Sequence, residues 1–513
     1  MTFLVIPLII IVFYLNFLVL RSIFYRSKVK SAVNKSIYST LYCVGFVYIC
    51  PEGSLYLSLT LSVLYFLNAY YSSIYGELTY GSAASVFETN KEELKEFINS
   101  INKLFILKIL TLSFIYFCSI FLLSKTVFLF SNYISWFSVG VSFLYVVSLY
   151  KIYWSNTSTK EFWTKPLRYN AIFNAIYHVC EYFKYKRMLK NIKIESEWTD
   201  VTRHFHGKCY VIIIGESACK SHFHFYGYDV KNTPSFDDLV GYKVVKNPIA
   251  PAAQTMTSLP RMLAVNNKSE VNFNLNIIDL ANNAEFETYW LSNQGELGLA
   301  DTDITILAKR AKYTTFLQKE YNKAGSDFKL IEKVENIISQ SSKRDKVIFL
   351  HTMGSHWDFC ERSNSGDYKF KDDLVTQIDF YDNTIHNTYM MIEDLRAVFK
   401  RNSIDCDFVY FSDHALVHTT DYPYLTHGVG KMFSLEAVQV PLLFVSERMK
   451  NCNLIDKKYY MRDFVHTLAH WMGIEANEID YNYSVLSKEL EEQENYIMDD
   501  SLNVITLEGV EHD

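Results

Sequence analysis

The sequence predicts an N-terminal α-helical transmembrane bundle followed by an α/β domain, a mostly parallel sheet with helices on both faces. Three observations point there. Charge is unevenly spread: residues 1–150 hold 10 Lys/Arg and 6 Asp/Glu, leaving 90 of the 106 charged residues to the other 363. From His206 onward, short runs rich in β-branched residues alternate with stretches of helical periodicity, the pattern of a sheet covered on both sides. Carboxylates, hydroxyls and histidines then collect directly after those runs, at the strand ends where open α/β sheets bind ligands.

In the first part, charge-free runs cover Met1 to Leu20, Ser36 to Pro51, Gly53 to Gly76, Ile109 to Ser124 and Thr126 to Tyr150. A span needs about 20 mostly apolar residues. The first, third and fifth runs meet that length, and the fourth does so by starting near Leu104 and taking in Lys108. The second is marginal. Residues 1–20 read as a retained anchor, because the basic residues follow the apolar run and no small-residue cleavage site is evident. Arg21, Arg26, Lys28, Lys30 and Lys35 favour a cytoplasmic loop after the first span. Five spans would then leave the C-terminal domain inside; four, with 36–51 not crossing, put it outside. An external domain has 77–103 outside, Lys125 inside and everything after 150 outside. The expected boundaries are 1–150 for the bundle, 151–205 for a connector and 206–513 for the catalytic domain.

Two segments of this half carry alternatives. Thr89 or Asn90 followed by Glu92 or Glu93 forms a helix-capping box; the same loop could instead meet a lipid headgroup, with Glu93 available to an amine. The connector is rich in Trp154, Trp163, Tyr182, Tyr185, Lys184, Lys186 and Arg187. It reads either as amphipathic helices lying on the bilayer or as a packed linker.

In the second half, strands are expected over 209–214, 287–291, 346–350, 407–411 and 440–445, and helices over 275–283, 328–339, 376–400 and 461–472. The acidic tail after about residue 489 is expected to be loosely ordered. A net charge of −6 and a pI near 6.2, with no polybasic face, make nucleic acid an unexpected partner. Nine scattered cysteines without C-x-x-C argue against a disulfide scaffold or a thiolate zinc site.

The chemistry sits at strand ends. Val211-Ile-Ile-Ile runs into Gly215-Glu216. Thr255 precedes a possible helix, 256–265, so a phosphate on its oxygen would meet free backbone N–H groups. Phe408-Val-Tyr-Phe runs into Ser412-Asp413-His414, the strand near 350 into His351-Thr-Met-Gly-Ser-His356, and a loop brings Thr426-His427-Gly428. Glu216, Thr255, Asp413 and His414 make a plausible tetrahedral zinc set. Taken singly, a histidine is more often structural and Thr255 more often a helix N-cap. Their joint occurrence in this order favours a metal and phosphate site.

Gly215-Glu-Ser-Ala, Tyr226-Gly-Tyr, Asn232-Thr-Pro, Trp290-Leu-Ser-Asn-Gln294, Tyr381-Asp-Asn383, Ser412-Asp-His414 and His427-Gly428 together resemble the phosphoethanolamine transferases of the alkaline phosphatase/sulfatase superfamily. Those are inner-membrane enzymes that decorate lipopolysaccharide. The resemblance covers nearly the whole chain and implies a membrane bundle plus a periplasmic, alkaline phosphatase-like catalytic domain. It implies Glu216, Thr255, Asp413 and His414 as ligands of one or two zinc ions and Thr255 as the nucleophile that becomes phosphoethanolamine-modified. His356 and His427 would hold the transferred phosphate or a second zinc. Thr89 and Glu93 match loop residues linked to the donor headgroup, with Ser85 standing where members often have Asn. Phosphatidylethanolamine as donor, lipopolysaccharide as acceptor, membrane lipids as surroundings and a monomeric state follow from the same likeness.

Two departures stand out. Members usually read S-D-H-G-E, whereas Ala415-Leu416 follow His414 here. The stretch Ala250-Pro-Ala-Ala-Gln-Thr255 lacks the cysteines with which lipid A-modifying members staple the nucleophile, a lean toward the branch that modifies core heptose. The rival readings are a phosphoglycerol transferase on the same fold, a serine hydrolase using Ser217, a sulfatase, and a catalytically degenerate membrane sensor. G-E-S-A-C lacks the last Gly of a nucleophile elbow, and Ser258-Leu-Pro-Arg261 places Arg one residue early for a sulfatase.

Overall fold

The computed structural model describes residues 2–24, 29–49, 53–76, 78–79, 83, 103–126, 132–154, 170–191, 193–268, 270–294, 303–317, 325–339, 345–357, 359–362, 377–419, 425–500 and 502–507. They fall into two compact units, one holding the apolar helices up to Tyr185 and one running from Lys186.

The first unit is built from α1 (Thr2–Ile23), α2 (Val29–Ile49), α3 (Ser54–Ile74), α4 (Lys103–Thr126) and α5 (Asn132–Trp154). By length and composition, α1 and α4 can cross a membrane. Residues 36–49 of the marginal run are the end of a longer helix, because α2 begins at Val29 and takes in Lys30 and Lys35. A buried polar knot ties three helices together. Asn16 on α1 donates to Thr40 on α2 at 3.3 Å, Tyr116 on α4 donates to the Asn16 amide oxygen at 3.2 Å, and Cys43 Sγ lies 3.2 Å from the same phenol. In apolar surroundings these groups have no water to turn to, so the knot fixes how the helices are rotated against one another. Closeness matters too: a Cβ on Gly45 would fall 2.3 Å from the Ser138 carbonyl of α5.

The second unit holds an eight-stranded sheet. Its strands are β1 (Cys209–Gly215), β2 (Tyr242–Ile249), β3 (Glu287–Ser292), β4 (Tyr313–Phe316), β5 (Lys346–His351), β6 (Cys406–Ser412), β7 (Leu442–Ser446) and β8 (Asn453–Tyr460). Across the sheet they run β8-β2-β7-β6-β1-β5-β3-β4. All are parallel except β7, which is antiparallel to both its neighbours. The sheet is therefore mostly parallel, as the sequence predicts. Every residue of β1, β5 and β6 is buried, which is why these strands read as continuous apolar runs. Three strands escape the sequence reading. Lys, Asn and Pro interrupt β2, Asp456, Lys457 and Lys458 break β8 at one sheet edge, and β4 has only four residues at the other.

The covering helices are α6 (Thr255–Leu263), α7 (Ile277–Asn283), α8 (Lys329–Ser339), α9 (Gln377–Arg401) and α10 (Phe464–Met472). The helix expected from 275 starts at Ile277 because Asn276 caps it, accepting the Asp279 N–H at 2.8 Å.

Among the described residues, the acidic tail is not loose. Tyr496–Met498 pairs with Val504–Thr506 in a hairpin, and Met498 N–H donates to the Pro251 carbonyl at 2.8 Å, just before Thr255. Arg462 holds it, with its guanidinium 4.7 Å from the Tyr460 ring and 4.0 Å from the Tyr496 ring while donating to the Glu494 and Tyr496 carbonyls. Charge counting misses this because the tail is anchored through backbone carbonyls and rings. Deleting residues 491–513 should lower the melting temperature of the full chain by several degrees; unchanged melting would show that the hairpin braces nothing.

Candidate metal centre

β1 ends at Gly215 and Glu216 follows at the carboxyl edge of the sheet. Next to it Ser217 adopts φ 57°, a left-handed conformation that costs a non-glycine residue about 1 kcal/mol or more. Hydrogen bonds offset that cost: its N–H donates to Asp413 Oδ1 at 3.2 Å, its hydroxyl to Glu216 Oε1 at 2.9 Å, and its carbonyl accepts from the Tyr381 hydroxyl at 2.7 Å. Ser217 is buried and has no histidine partner among these contacts, so it does not form a hydrolase triad. On the other side Gly354 passes so close, at φ +49°, that a Cβ would sit 2.8 Å from the Glu216 nitrogen. Only glycine fits there.

Asp413 and His414 leave the end of β6, both 0% exposed. Asp413 Oδ1 accepts the N–H groups of Ser217 and His414 at 3.2 and 2.8 Å. Its Oδ2 has no hydrogen-bond partner. The Nδ1 of His414 lies 3.0 Å from the Ala415 carbonyl, which places the ring proton on Nδ1 and leaves Nε2 as a lone pair facing the acids. That Nε2 stands 3.1 Å from Glu216 Oε1 and 3.7 Å from Asp413 Oδ2, yet it too lacks a partner in hydrogen-bond geometry.

Thr255 completes the set. Its Oγ1 is 3.3 and 3.2 Å from the two Glu216 oxygens. It is the first residue of α6 rather than the cap; Gln254 holds the cap position and its carbonyl accepts the N–H groups of Thr257 and Ser258 at 3.2 and 2.9 Å. The Ser258 hydroxyl donates to the Asp413 carbonyl at 2.5 Å and so fastens α6 to the end of β6.

The electrostatics fit a missing positive charge. Burial drives both carboxylates up. In Glu216 the neighbouring His414 and His356 overcome it and hold the acid below its usual range, whereas Asp413, beside the charge of Glu216, stays raised. Burial opposes protonation of His414, but Asp413 and Glu216 carry it up to about 9. Without a cation, a proton on this imidazole takes its place. The ligand atoms of Glu216, Asp413 and His414 lie within 4.8 Å of one another. Two carboxylates, one imidazole and a hydroxyl, with Asp413 Oδ2 and His414 Nε2 buried and without hydrogen-bond partners, make a donor set that would suit zinc.

His427 lies beyond His414, with ring centroids 5.3 Å apart, and His356 beyond it at 6.3 Å. His427 ends a small hairpin, Leu416–His418 paired with Leu425–His427. Burial first, then the charges of His414 and His356, push its pKa down to about 3, so it is a neutral base at physiological pH. The structure thus brings together Glu216, Thr255, Asp413, His414, His427 and His356. The expected headgroup residues Ser85, Thr89 and Glu93 lie outside the described residues.

Sequence reasoning gave no role to Gln294, two residues past β3. Its amide donates to Glu216 Oε2 at 3.2 Å and to the Thr352 carbonyl at 2.8 Å, tying a ligand to the end of β5. It was equally silent on Asp327, a half-buried acid that accepts the N–H groups of Met353 and Gly354 at 2.9 Å each and shapes the turn against Glu216. Gln294 closes the Trp290-Leu-Ser-Asn-Gln294 motif at a strand end, which could have flagged it; Asp327 had no such signal.

A sulfatase family model matches residues 208–474, more than half of the chain. The chain belongs to this family. Among curated proteins it is 30% identical over 309 residues to phosphoethanolamine transferase OpgE of Escherichia coli K12, covering 59% of this chain and 58% of that protein. The chain thus spans little more than half the length of that relative. Two solved structures share the fold. The periplasmic domain of EptC from Escherichia coli in complex with Zn has a TM-score of 0.55 at 18% identity, over 62% of this chain and 98% of that one. The integral membrane protein lipooligosaccharide phosphoethanolamine transferase A from Neisseria meningitidis has a TM-score of 0.57 at 16% identity, over 84% and 86%. The resemblance to the phosphoethanolamine transferases and the alkaline phosphatase-like fold read from the sequence are borne out.

A zinc ion bound here would displace the proton that the two acids hold on His414 near pKa 9, so its apparent affinity should rise at least about tenfold per pH unit up to that value, measured by competition with a chelator. A flat profile would separate the metal from His414. Gln294→Leu should weaken zinc binding by about 10–100-fold without lowering the melting temperature of the zinc-free protein, since it removes a bond to a ligand and not a ligand.

Proposed function

We propose that this chain transfers phosphoethanolamine from phosphatidylethanolamine to lipopolysaccharide, at a core heptose or on lipid A, through a covalent intermediate on Thr255. It would act as a multi-pass protein of the bacterial inner membrane with its catalytic unit in the periplasm. The observation that carries this reading is the Thr255 hydroxyl, at the start of a helix and 3.2 Å from an acid whose neighbours include two buried atoms without partners. The curated relative named a phosphoethanolamine transferase supports the transferred group.

Zinc held by Glu216, Asp413, His414 and Thr255 would supply the charge that lowers the pKa of the threonine hydroxyl and polarises a phosphoryl oxygen. Thr255 Oγ1 attacks phosphorus in line, forming one P–O bond as the bond to glycerol breaks, and diacylglycerol leaves with a proton. The first free N–H groups of α6 face the oxygens of the trapped phosphoryl group. His427 and His356 line the same side. Neutral His427 can take the proton of the incoming acceptor hydroxyl, whose oxygen replaces Thr255 on phosphorus while the threonine regains its proton. Gln294 and Ser217 keep Glu216 oriented throughout. A membrane-bound chain suits this chemistry because donor and acceptor are both lipids.

Thr255→Ala should leave the protein folded, abolish transfer, and remove a phosphoethanolamine adduct that mass spectrometry finds on Thr255 of the native protein. A phosphoglycerol adduct would transfer the reading to another phospholipid donor. Lipopolysaccharide of unchanged mass in cells with and without the protein would remove it as the acceptor.

A further inference from the structure

A second group of titratable side chains stands outside the metal centre. His222 Nδ1 is 2.8 Å from Asp382 Oδ1, His222 Nε2 is 2.8 Å from His418 Nε2, and His418 Nδ1 bonds to Glu436 Oε1. The two rings are within 9° of coplanar with centroids 4.9 Å apart. Edge to edge in one plane, this is an N–H···N hydrogen bond and not a pair of lone pairs converging on an ion. With each Nδ1 against a carboxylate oxygen, the two Nε2 atoms are left 2.8 Å apart, the distance at which a single proton between them makes a hydrogen bond.

The chain of four joins four segments around the site. His222 lies in the short helix Lys220–His222 that follows Glu216 and Ser217. Asp382 sits on α9 beside Tyr381, whose hydroxyl holds the Ser217 carbonyl at 2.7 Å. His418 ends the first strand of the hairpin whose second strand ends in His427, with Leu416 opposite His427. Glu436 lies in the short helix Leu435–Val438, and its other oxygen accepts the His418 N–H at 3.0 Å. The Ala415-Leu416 departure falls in the middle: both residues are buried, Ala415 N–H donating to the Ala437 carbonyl at 2.9 Å and Leu416 N–H to Cys219 Sγ at 3.2 Å. With no acid at these two positions, Glu436 supplies the negative charge on the hairpin's flank.

We propose that Asp382, His222, His418 and Glu436 form a proton-sharing latch that positions the His427 hairpin against the metal-ligand loops. Its catalytic consequence rests on the transfer reading above; the latch itself does not. None of the four touches the reacting atoms, so they are positioning residues. The titratable groups facing them are few. Asp382, Tyr228 and the edge of Tyr381 face His222, the Tyr228 hydroxyl bonding Asp382 Oδ2 at 3.0 Å. Glu436 faces His418, and Cys219, its thiol pushed up by burial, feels the charge of both acids. The hydrogen bond to Glu436 holds His418 above the ordinary histidine value against the pull of partial burial. A raised folded value means the stabilisation is complete below the unfolded value of about 6.5 and is lost as pH rises through the folded one. When the shared proton leaves, two ring lone pairs face each other and the hairpin is released.

The test uses the full chain purified in detergent, with melting and transfer followed between about pH 6 and 9. Wild type should lose melting temperature as pH rises through this range. Glu436→Gln, which can still accept the His418 N–H, should move that loss to lower pH by about one unit because the opposing charge is gone. His418→Leu should melt lower at pH 6 and lose less melting temperature than wild type across the range, because the share contributed by His418 is gone while that of the metal-ligand histidine stays. Transfer should follow, with kcat of His418→Leu reduced on the order of tenfold and KM for phosphatidylethanolamine unchanged, since the hairpin acts through His427. Melting curves of both variants that superimpose on wild type across the range would overturn the latch. If His418→Leu does not fold, Glu436→Gln alone decides. If the wild type transfers nothing, the transfer reading fails while the melting series still decides on the latch.

Discussion

Two buried carboxylates and one imidazole converge at the ends of adjacent parallel strands with more negative charge than the protein itself neutralises. The rest of the catalytic unit is arranged around that imbalance. Removing an acid from water costs several kcal/mol unless a charge answers it, and here Asp413 Oδ2 and His414 Nε2 are buried without a partner in hydrogen-bond geometry, the imidazole 3.1 Å from Glu216 being the one group that can balance the acids. A stable fold that keeps such groups has a cation for them or a proton in its place. The tautomer of His414, fixed by the Ala415 carbonyl, leaves the lone pair toward the acids and so favours the cation.

The architecture supplies precision at that point. β1 and β6 lie side by side in register, Gly215 opposite Ser412, so the residues that follow each strand emerge together. Covering helices then add one group apiece: α6 brings Thr255 and, through Ser258, grips the end of β6; α9 brings Tyr381 to the strained Ser217. The C-terminal hairpin backs the segment before Thr255. In the proposed reaction, a hydroxyl held in this way would meet a phosphoryl group with little reorganisation, which is how positioning lowers a barrier.

Much of this was legible in the sequence because it is carried by buried, continuous runs. β1, β5 and β6 announce themselves, and each is followed at once by a residue with chemistry, so Glu216, Asp413 and His414 could be named from position alone. Thr255 was legible as a helix start, though it is the first helical residue and not the cap. What stayed hidden depends on side chains meeting across long stretches of chain. Gln294, Asp327 and the His222–His418 pair sit in segments with no distinguishing composition, and their partners lie 78, 27 and 196 residues away. The tail misled because its order comes from one arginine gripping backbone carbonyls and rings, which net charge does not register.

The most direct test of the account is a crystal structure of the zinc-loaded protein with anomalous scattering measured on both sides of the zinc absorption edge. The account predicts an ion bonded at about 2.0–2.2 Å to oxygens of Glu216, Asp413 and Thr255 and to Nε2 of His414. An ion held elsewhere, or Thr255 Oγ1 turned away from it, would contradict the account at its root.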